Sequence, residues 1–258
     1  MTPTKIQVSL NGSAIGGGHQ NRESSLDEII DDSLACARIG ASDFHVHPRN
    51  SEGSEAIDAE TIEKWVTAFN QRLPLATISL STAAWIAPLA QRLREICSWS
   101  VRPHYASVNF HEEGAEEIAD ALLNQCVGVE AGISDREGAR RFLNYERRQE
   151  CRRLMFEMPN KEPQAVSSVF KEIYRILANI TDDHELILHG EGRSAWPILQ
   201  LAVRNGLRGR IGLEDTILLP DLRVAENNVS ILTAAVEILK IMNNEDAEMR
   251  RILRNIAI

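Results

Sequence analysis

Apolar and polar positions along the chain change period again and again. Short runs dominated by β-branched and apolar residues alternate with longer stretches in which apolar residues recur every three or four positions. The short runs predict strands at Lys5–Leu10, Ser42–His47, Leu75–Leu80, His104–Asn109, Val127–Ala131, Arg153–Glu157, Glu185–His189 and Arg210–Glu214. The longer ones predict helices at Ser25–Ile39 (capped by Ser24 or Ser25), Ala59–Asn70 behind Asp58, Ile86–Ile96 and Ala115–Asn124. Four more follow at Arg136–Arg147, Gln164–Asn179 behind Pro163, Ala195–Asn205 stopped by Gly206, and Ala225–Ile241. Asn243–Ile258 reads as one more helix, for packing or subunit contact.

Strands separated by helices are joined by crossovers, so the sheet is expected to be parallel. Crossovers of one hand close such a series into a barrel. The expected fold class is therefore α/β: a single (β/α)8 TIM barrel over residues 1–258 with a short C-terminal helical extension. An open doubly wound sheet would carry a glycine-rich turn directly after its first strand. Gly16-Gly17-Gly18 comes too far after Leu10 and lacks that spacing, so it reads as a loop over the barrel mouth.

Composition narrows the partners. The 258 residues carry 28 Lys and Arg against 37 Asp and Glu, a net charge of −9, which disfavours a nucleic-acid partner. No apolar stretch approaches the ~20 residues that span a bilayer, and Met1–Asn11 lacks the pattern of a signal peptide, so no membrane partner and a cytoplasmic location are expected. Cys36, Cys97, Cys126 and Cys151 are too far apart for a metal knuckle and read as reduced, buried thiols.

In a barrel of this kind reactive groups stand at the carboxyl ends of the strands. The polar residues there are Asp43, His45 and His47 on strand 2, the run Ser79-Leu80-Ser81-Thr82 on strand 3, and Ser107 and Asn109 on strand 4. Glu130, Glu157, His189, Glu214 and Asp215 end strands 5 to 8. Two histidines two residues apart point to the same side of a strand. If that side is the barrel interior, both reach one ion, and two imidazoles with the Glu214 carboxylate suit zinc with an open position. Arg210 shares a face with Glu214 and suits either a substrate carboxylate or a salt bridge to Glu214. Asp215 suits the mouth or a helix cap, and Asp43 suits a carboxylate orienting His45 from behind. His189-Gly190-Glu191-Gly192-Arg193 fits an anion site or a tight turn, and Trp85 and Trp196 fit core packing or pocket walls.

These residues together carry a resemblance to the β-keto acid cleavage enzymes, zinc-dependent (β/α)8 barrels. Lys5-Ile6-Gln7-Val8-Ser9-Leu10-Asn11-Gly12 resembles the family's opening strand, and Phe44-His45-Val46-His47-Pro48-Arg49-Asn50 its His-x-His-x-Arg-Asp motif. Arg210-Ile211-Gly212-Leu213-Glu214-Asp215 resembles its Arg-x-Gly-Leu-Glu-Asp block, and Ala225-Glu226-Asn227-Asn228 the Ala-x-Ser-Asn before its last helix. The resemblance implies one zinc ion on His45, His47 and Glu214. It implies a 3-oxo acid and acetyl-CoA exchanging acyl groups to acetoacetate and a new CoA thioester. Asp215 would be the general base, with Arg210 and Glu130 as further catalytic residues. Ser81, Asn109 (or Ser107) and Arg49 would bind substrate. Relatives further imply a homo-oligomer, possibly a tetramer.

The departures are Asn50 for Asp, Pro48 inside the motif, Ala83 for a glycine after the strand 3 hydroxyls, and a glycine-rich first loop without an acid. Two other readings remain. A metal-dependent barrel hydrolase would need further histidines where strands 5 and 6 offer Glu130 and Glu157. A non-catalytic ligand-binding barrel would keep the fold and the metal alone.

Overall fold

A computed structural model describes residues 4–12, 25–158 and 163–256. Eight strands alternate with eight helices in it. In order they are β1 (Ile6–Ser9), α1 (Leu26–Arg38), β2 (Asp43–Val46), α2 (Ala59–Arg72), β3 (Thr77–Ser81), α3 (Leu89–Ser98), β4 (Tyr105–Asn109) and α4 (Ala115–Asn124). The second half comprises β5 (Gly128–Ile133), α5 (Arg136–Asn144), β6 (Arg153–Met158), α6 (Pro163–Leu177), β7 (Glu185–Gly190), α7 (Ala195–Arg204), β8 (Arg208–Ile211) and α8 (Asn228–Ile256). The strands pair in chain order, all parallel, and β1 closes on β8 through Ile6↔Gly209 and Val8↔Ile211. This is the expected TIM barrel.

Strand alternation separates two environments. Val8, Phe44, Val46, Ile78, Leu80, Val129, Ala131, Leu154, Phe156 and Leu188 are all buried and belong to the core shared with the helices. On α2, Ile62, Trp65, Val66 and Phe69 form the matching stripe, and Phe69 meets Phe44 with ring centroids 6.3 Å apart. The other strand faces turn inward and carry an unusually polar set, treated below. Ser25 caps α1 reciprocally with Glu28, and Asp58 accepts from the Thr61 amide at 2.9 Å, as those residues predict.

Four expectations change. The chain beyond Asn243 is not a separate helix: α8 runs unbroken for 29 residues, because no Gly or Pro interrupts Ile241–Asn255. It starts at Asn228, with Asn227 Oδ1 accepting from the Ser230 amide at 2.9 Å. Strand β8 stops at Ile211, so Glu214 and Asp215 lie on the loop beyond it. Strand β5 runs on to Ile133, which drops Glu130 below the mouth. Of the cysteines, Cys36 and Cys151 are buried and Cys97 and Cys126 exposed. Gly16–Gly18 lie outside the described residues. No helix among the described residues is long and apolar enough to cross a membrane.

Candidate metal centre and active site

A cavity of about 330 Å³ opens at the carboxyl ends of the strands, lined by residues from β2 to β8 and their loops. His45, His47 and Glu214 converge there, each offering a ligand atom, all within 4.8 Å of one another. His45 points inward because Asp43, His45 and His47 share a strand face. His47 lies just past β2, pinned by Asn11: its amide donates to Asn11 Oδ1 and the Asn11 amide donates to its carbonyl, both at 2.9 Å.

Two glycines bring Glu214 to the histidines. A Cβ on Gly212 would lie 1.9 Å from the Ser9 carbonyl oxygen, so only glycine lets the loop after β8 press against β1. A Cβ on Gly12 would stand 2.5 Å from Glu214 Cγ, in the space that carboxylate arm occupies. Asn228 ties the same seam: its Oδ1 accepts from the Leu213 amide at 2.7 Å and its Nδ2 donates to the Leu10 carbonyl at 2.9 Å.

The donor set fits a cation. His47 Nε2 lies 3.3 Å from Glu214 Oε1, while its Nδ1 faces Glu55 Oε2 at 3.1 Å. His45 Nδ1 faces the Ser79 hydroxyl at 3.3 Å, leaving Nε2 for the centre. Glu214 Oε2 is buried with no hydrogen-bond partner. Burial works against a charged His47, yet Glu214 and Glu55 outweigh it and push its pKa up to about 9. His45 is driven the other way, well below the usual histidine range, by burial and by Arg210 and the other histidines. Its neutral imidazole is the form that ligates. Two imidazoles and one carboxylate are a donor set that suits zinc.

Behind the triad, Arg210 pairs with Glu214 and reaches Asp215 at 3.5 Å. Asp215 is only 1% exposed. It accepts from the Ser9 hydroxyl and faces His189 Nε2 at 2.9 Å. Burial raises its carboxyl, but His189 and Arg210 outweigh that and hold it below the usual carboxylate range. His189 lines the cavity and Asp215 does not. Ser81 and Asn109 both line the cavity, as do Ser107, Glu157 and Glu191. Burial raises the carboxyls of both glutamates.

Three expected placements differ. Glu130 is fully buried beneath the cavity, where it accepts from Arg153 Nη1 at 2.6 Å, Gln7 Nε2 at 2.8 Å and Ser79 Oγ at 2.5 Å. The longer β5 puts it there. Arg49 is absent from the cavity lining; it donates to the Gly53 carbonyl at 2.8 Å, fastening its own loop, and pairs with Glu55 at 3.8 Å. Asp43 does not reach His45; it pairs with Arg153 at 2.9 Å and Arg208 at 3.2 Å in the barrel floor. Trp85 lines the cavity, 59% exposed and stacked on His47 at 6.3 Å, with Nε1 donating to Glu55. Trp196 instead donates to the Leu218 carbonyl.

Sequence reasoning missed Ser9, Asn11, Glu55, His111 and Ser134 as parts of the site. Asn11-Gly12 at a strand end was a usable signal. Glu55 had none, since it lies eight residues past His47 on an irregular loop.

A barrel with two histidines at the end of its second strand and a loop glutamate gathered at its mouth defines a class: TIM-barrel proteins with a candidate metal centre. Residues 3–255 match the profile of the beta-keto acid cleavage enzyme family, and the chain belongs to that family of carbon–carbon bond-cleaving enzymes. It is 21% identical over 246 residues, 89% of each chain, to a 3-keto-5-aminohexanoate cleavage enzyme of Fusobacterium nucleatum. It is 20% identical over 254 residues, 91% of each chain, to a protein of the same name from Acetoanaerobium sticklandii. A solved ternary complex of ObcA with a C4-CoA adduct and oxalate matches with a TM-score of 0.70 at 13% identity. That match covers 87% of this chain and 65% of ObcA, so the chain spans just under two thirds of its length. The 3-dehydroquinate dehydratase of Geobacillus kaustophilus matches with a TM-score of 0.60 at 10% identity, covering 93% and 91% of the two chains. At such identities these structures share the fold.

Proposed function

We propose that the protein is a zinc-dependent acyltransferase that exchanges acyl groups between a 3-oxo acid and acetyl-CoA. The observation that carries this reading is the convergence of His45, His47 and Glu214 beside the buried Asp215–His189 pair, in a chain of this family. The names of the relatives and the CoA adduct in the ObcA complex support it.

When bound, zinc supplies Lewis-acid charge to the oxygens of a chelating 3-oxo acid. The protein's own groups do the rest. The Asp215–His189 pair takes a proton from C2 of the 3-oxo acid, with His189 the member at the cavity surface. Arg210 holds the Glu214 and Asp215 carboxylates in register. Ser81 and Asn109 bind substrate oxygens from the opposite wall.

In the overall exchange, C2 bonds to the acetyl carbonyl carbon and the C–S bond breaks. The released CoA thiolate attacks C3, the C2–C3 bond breaks, and the proton returns to C2. The products are acetoacetate and the new acyl-CoA, and no atom or electron is left over. Metal analysis of the protein, followed by a panel of 3-oxo acids with acetyl-CoA read by the mass of the thioester formed, tests the reading. Zinc at one per chain, a new thioester, and loss of both metal and turnover in Glu214→Gln are expected. Hydrolysis without a new thioester would refute the exchange.

A further inference from the structure

Beneath the cavity, the barrel floor holds a charged cluster. Arg153 sits at its centre, pairing with Glu130 at 2.6 Å, Glu185 at 2.8 Å and Asp43 at 2.9 Å, and lying 3.9 Å over the Tyr105 ring. Gln7, Asp43, Ser79, Glu130 and Arg153 are all buried. Among the described residues, a chain of hydrogen bonds leads up from this cluster to the candidate metal centre through Glu130–Ser79–His45.

We infer that Glu130 and Ser79 are positioning residues that fix which nitrogen of His45 carries the proton, and so leave its Nε2 lone pair facing the metal. The inference rests on His45 being a ligand, as proposed above. The logic is a count of protons. Ser79 has one hydroxyl proton, and the Glu130 carboxylate accepts at both oxygens, from Arg153 and Gln7 on one and from Ser79 on the other. Ser79 Oγ therefore donates to Glu130 Oε2 at 2.5 Å and has only lone pairs to offer His45 Nδ1 at 3.3 Å. That nitrogen must carry its hydrogen, so in the neutral ring Nε2 has none. The cluster below keeps the relay pointed one way. Arg153 Nη1 and Gln7 Nε2 both donate to Glu130 Oε1, which leaves Oε2 for Ser79.

Glu130→Gln turns this into a sharp test. Arg153 and Gln7 hold the new amide oxygen where Oε1 was, so the amide nitrogen faces Ser79 and donates to it. The Ser79 proton is then left with His45 Nδ1 as its acceptor, and the ring hydrogen moves to Nε2, into the metal position. The floor stays assembled, because Asp43 and Glu185 still pair with Arg153.

The experiment compares wild type, Glu130→Gln and Ser79→Ala. His45 tautomers are read by long-range proton–nitrogen NMR in metal-stripped protein, and zinc affinity by competition with a chromophoric chelator. The wild type should show Nδ1–H, and Glu130→Gln Nε2–H with zinc affinity lower by about 10–100-fold. Ser79→Ala should show a mixed tautomer and an intermediate loss, and it carries the test if Glu130→Gln does not fold. Wild-type tautomer and zinc affinity in Glu130→Gln would overturn the inference, even if turnover were lost. Failure of the wild type to bind zinc would instead sink the metal reading, while the tautomer result would still stand or fall alone.

Discussion

Asn228 offers a test of how the loop after β8 is held against β1. Its side chain accepts from the Leu213 amide at 2.7 Å and donates to the Leu10 carbonyl at 2.9 Å and to Asp32 Oδ2 at 2.7 Å. The residue is buried, so water does not replace these bonds freely. Asn228→Ala leaves the Leu213 amide and the Leu10 carbonyl without that partner, at about 1–3 kcal/mol each, for a total of about 2–4 kcal/mol after partial resolvation. Asn228→Asp is nearly isosteric and keeps the acceptor for Leu213. It also places an oxygen where Nδ2 was, facing the Leu10 carbonyl and the Asp32 carboxylate with no proton to share. An uncompensated buried charge of this kind costs about 3–5 kcal/mol. The expected order in urea unfolding at neutral pH is wild type, then Asn228→Ala, then Asn228→Asp least stable. Both variants should also bind zinc more weakly, since Leu213 precedes Glu214. An Asp variant within about 0.5 kcal/mol of wild type would refute the hydrogen-bond assignment, because that is the scale of an ordinary surface substitution.

Three further outcomes follow from the structure. Gly212→Ala forces a Cβ to 1.9 Å from the Ser9 carbonyl oxygen, which is backbone and does not yield, so thermal unfolding should show a loss of about 3 kcal/mol or more. Arg49→Ala should leave KM for the 3-oxo acid within about three-fold of wild type in steady-state kinetics, since its guanidinium fastens the Gly53 carbonyl; a larger rise would return Arg49 to the substrate. Burial raises the Glu185 carboxyl, but Arg153 and Arg208 outweigh it and hold it below the usual carboxylate range. A carboxyl depressed in the folded state stabilises the protein fully above its unfolded value of about 4.3, and loses that contribution as pH falls through the folded value. Wild type should therefore exceed Glu185→Gln in urea midpoint at neutral pH and converge with it in acid, whereas a pH-independent gap would contradict the pairing.

The order of elements and the histidine pair among the metal-ligand candidates were legible in the chain because both rest on local periodicity. Residues two apart on a strand share a face wherever the strand ends up, so His45 and His47 could be paired before any fold was known. Alternating strands and helices force parallel crossovers, and these close the barrel. Capping residues such as Ser25 and Asp58 act within one helical turn, and they too were readable.

What periodicity does not carry is where a strand stops and which layer a side chain reaches. The two extra residues of β5 move Glu130 from the expected mouth to the floor, and the early end of β8 puts Glu214 and Asp215 on a loop. Arg153, Asp43 and Glu130 come from three strands, and their charges meet only when the barrel closes. Glu55 reaches His47 through a loop without period, and Asn228 reaches Leu10 across 218 positions. Local chemistry determined the elements and two of the three proposed ligands. Barrel closure alone decided the depth of each side chain, because depth depends on register between strands that no single segment encodes.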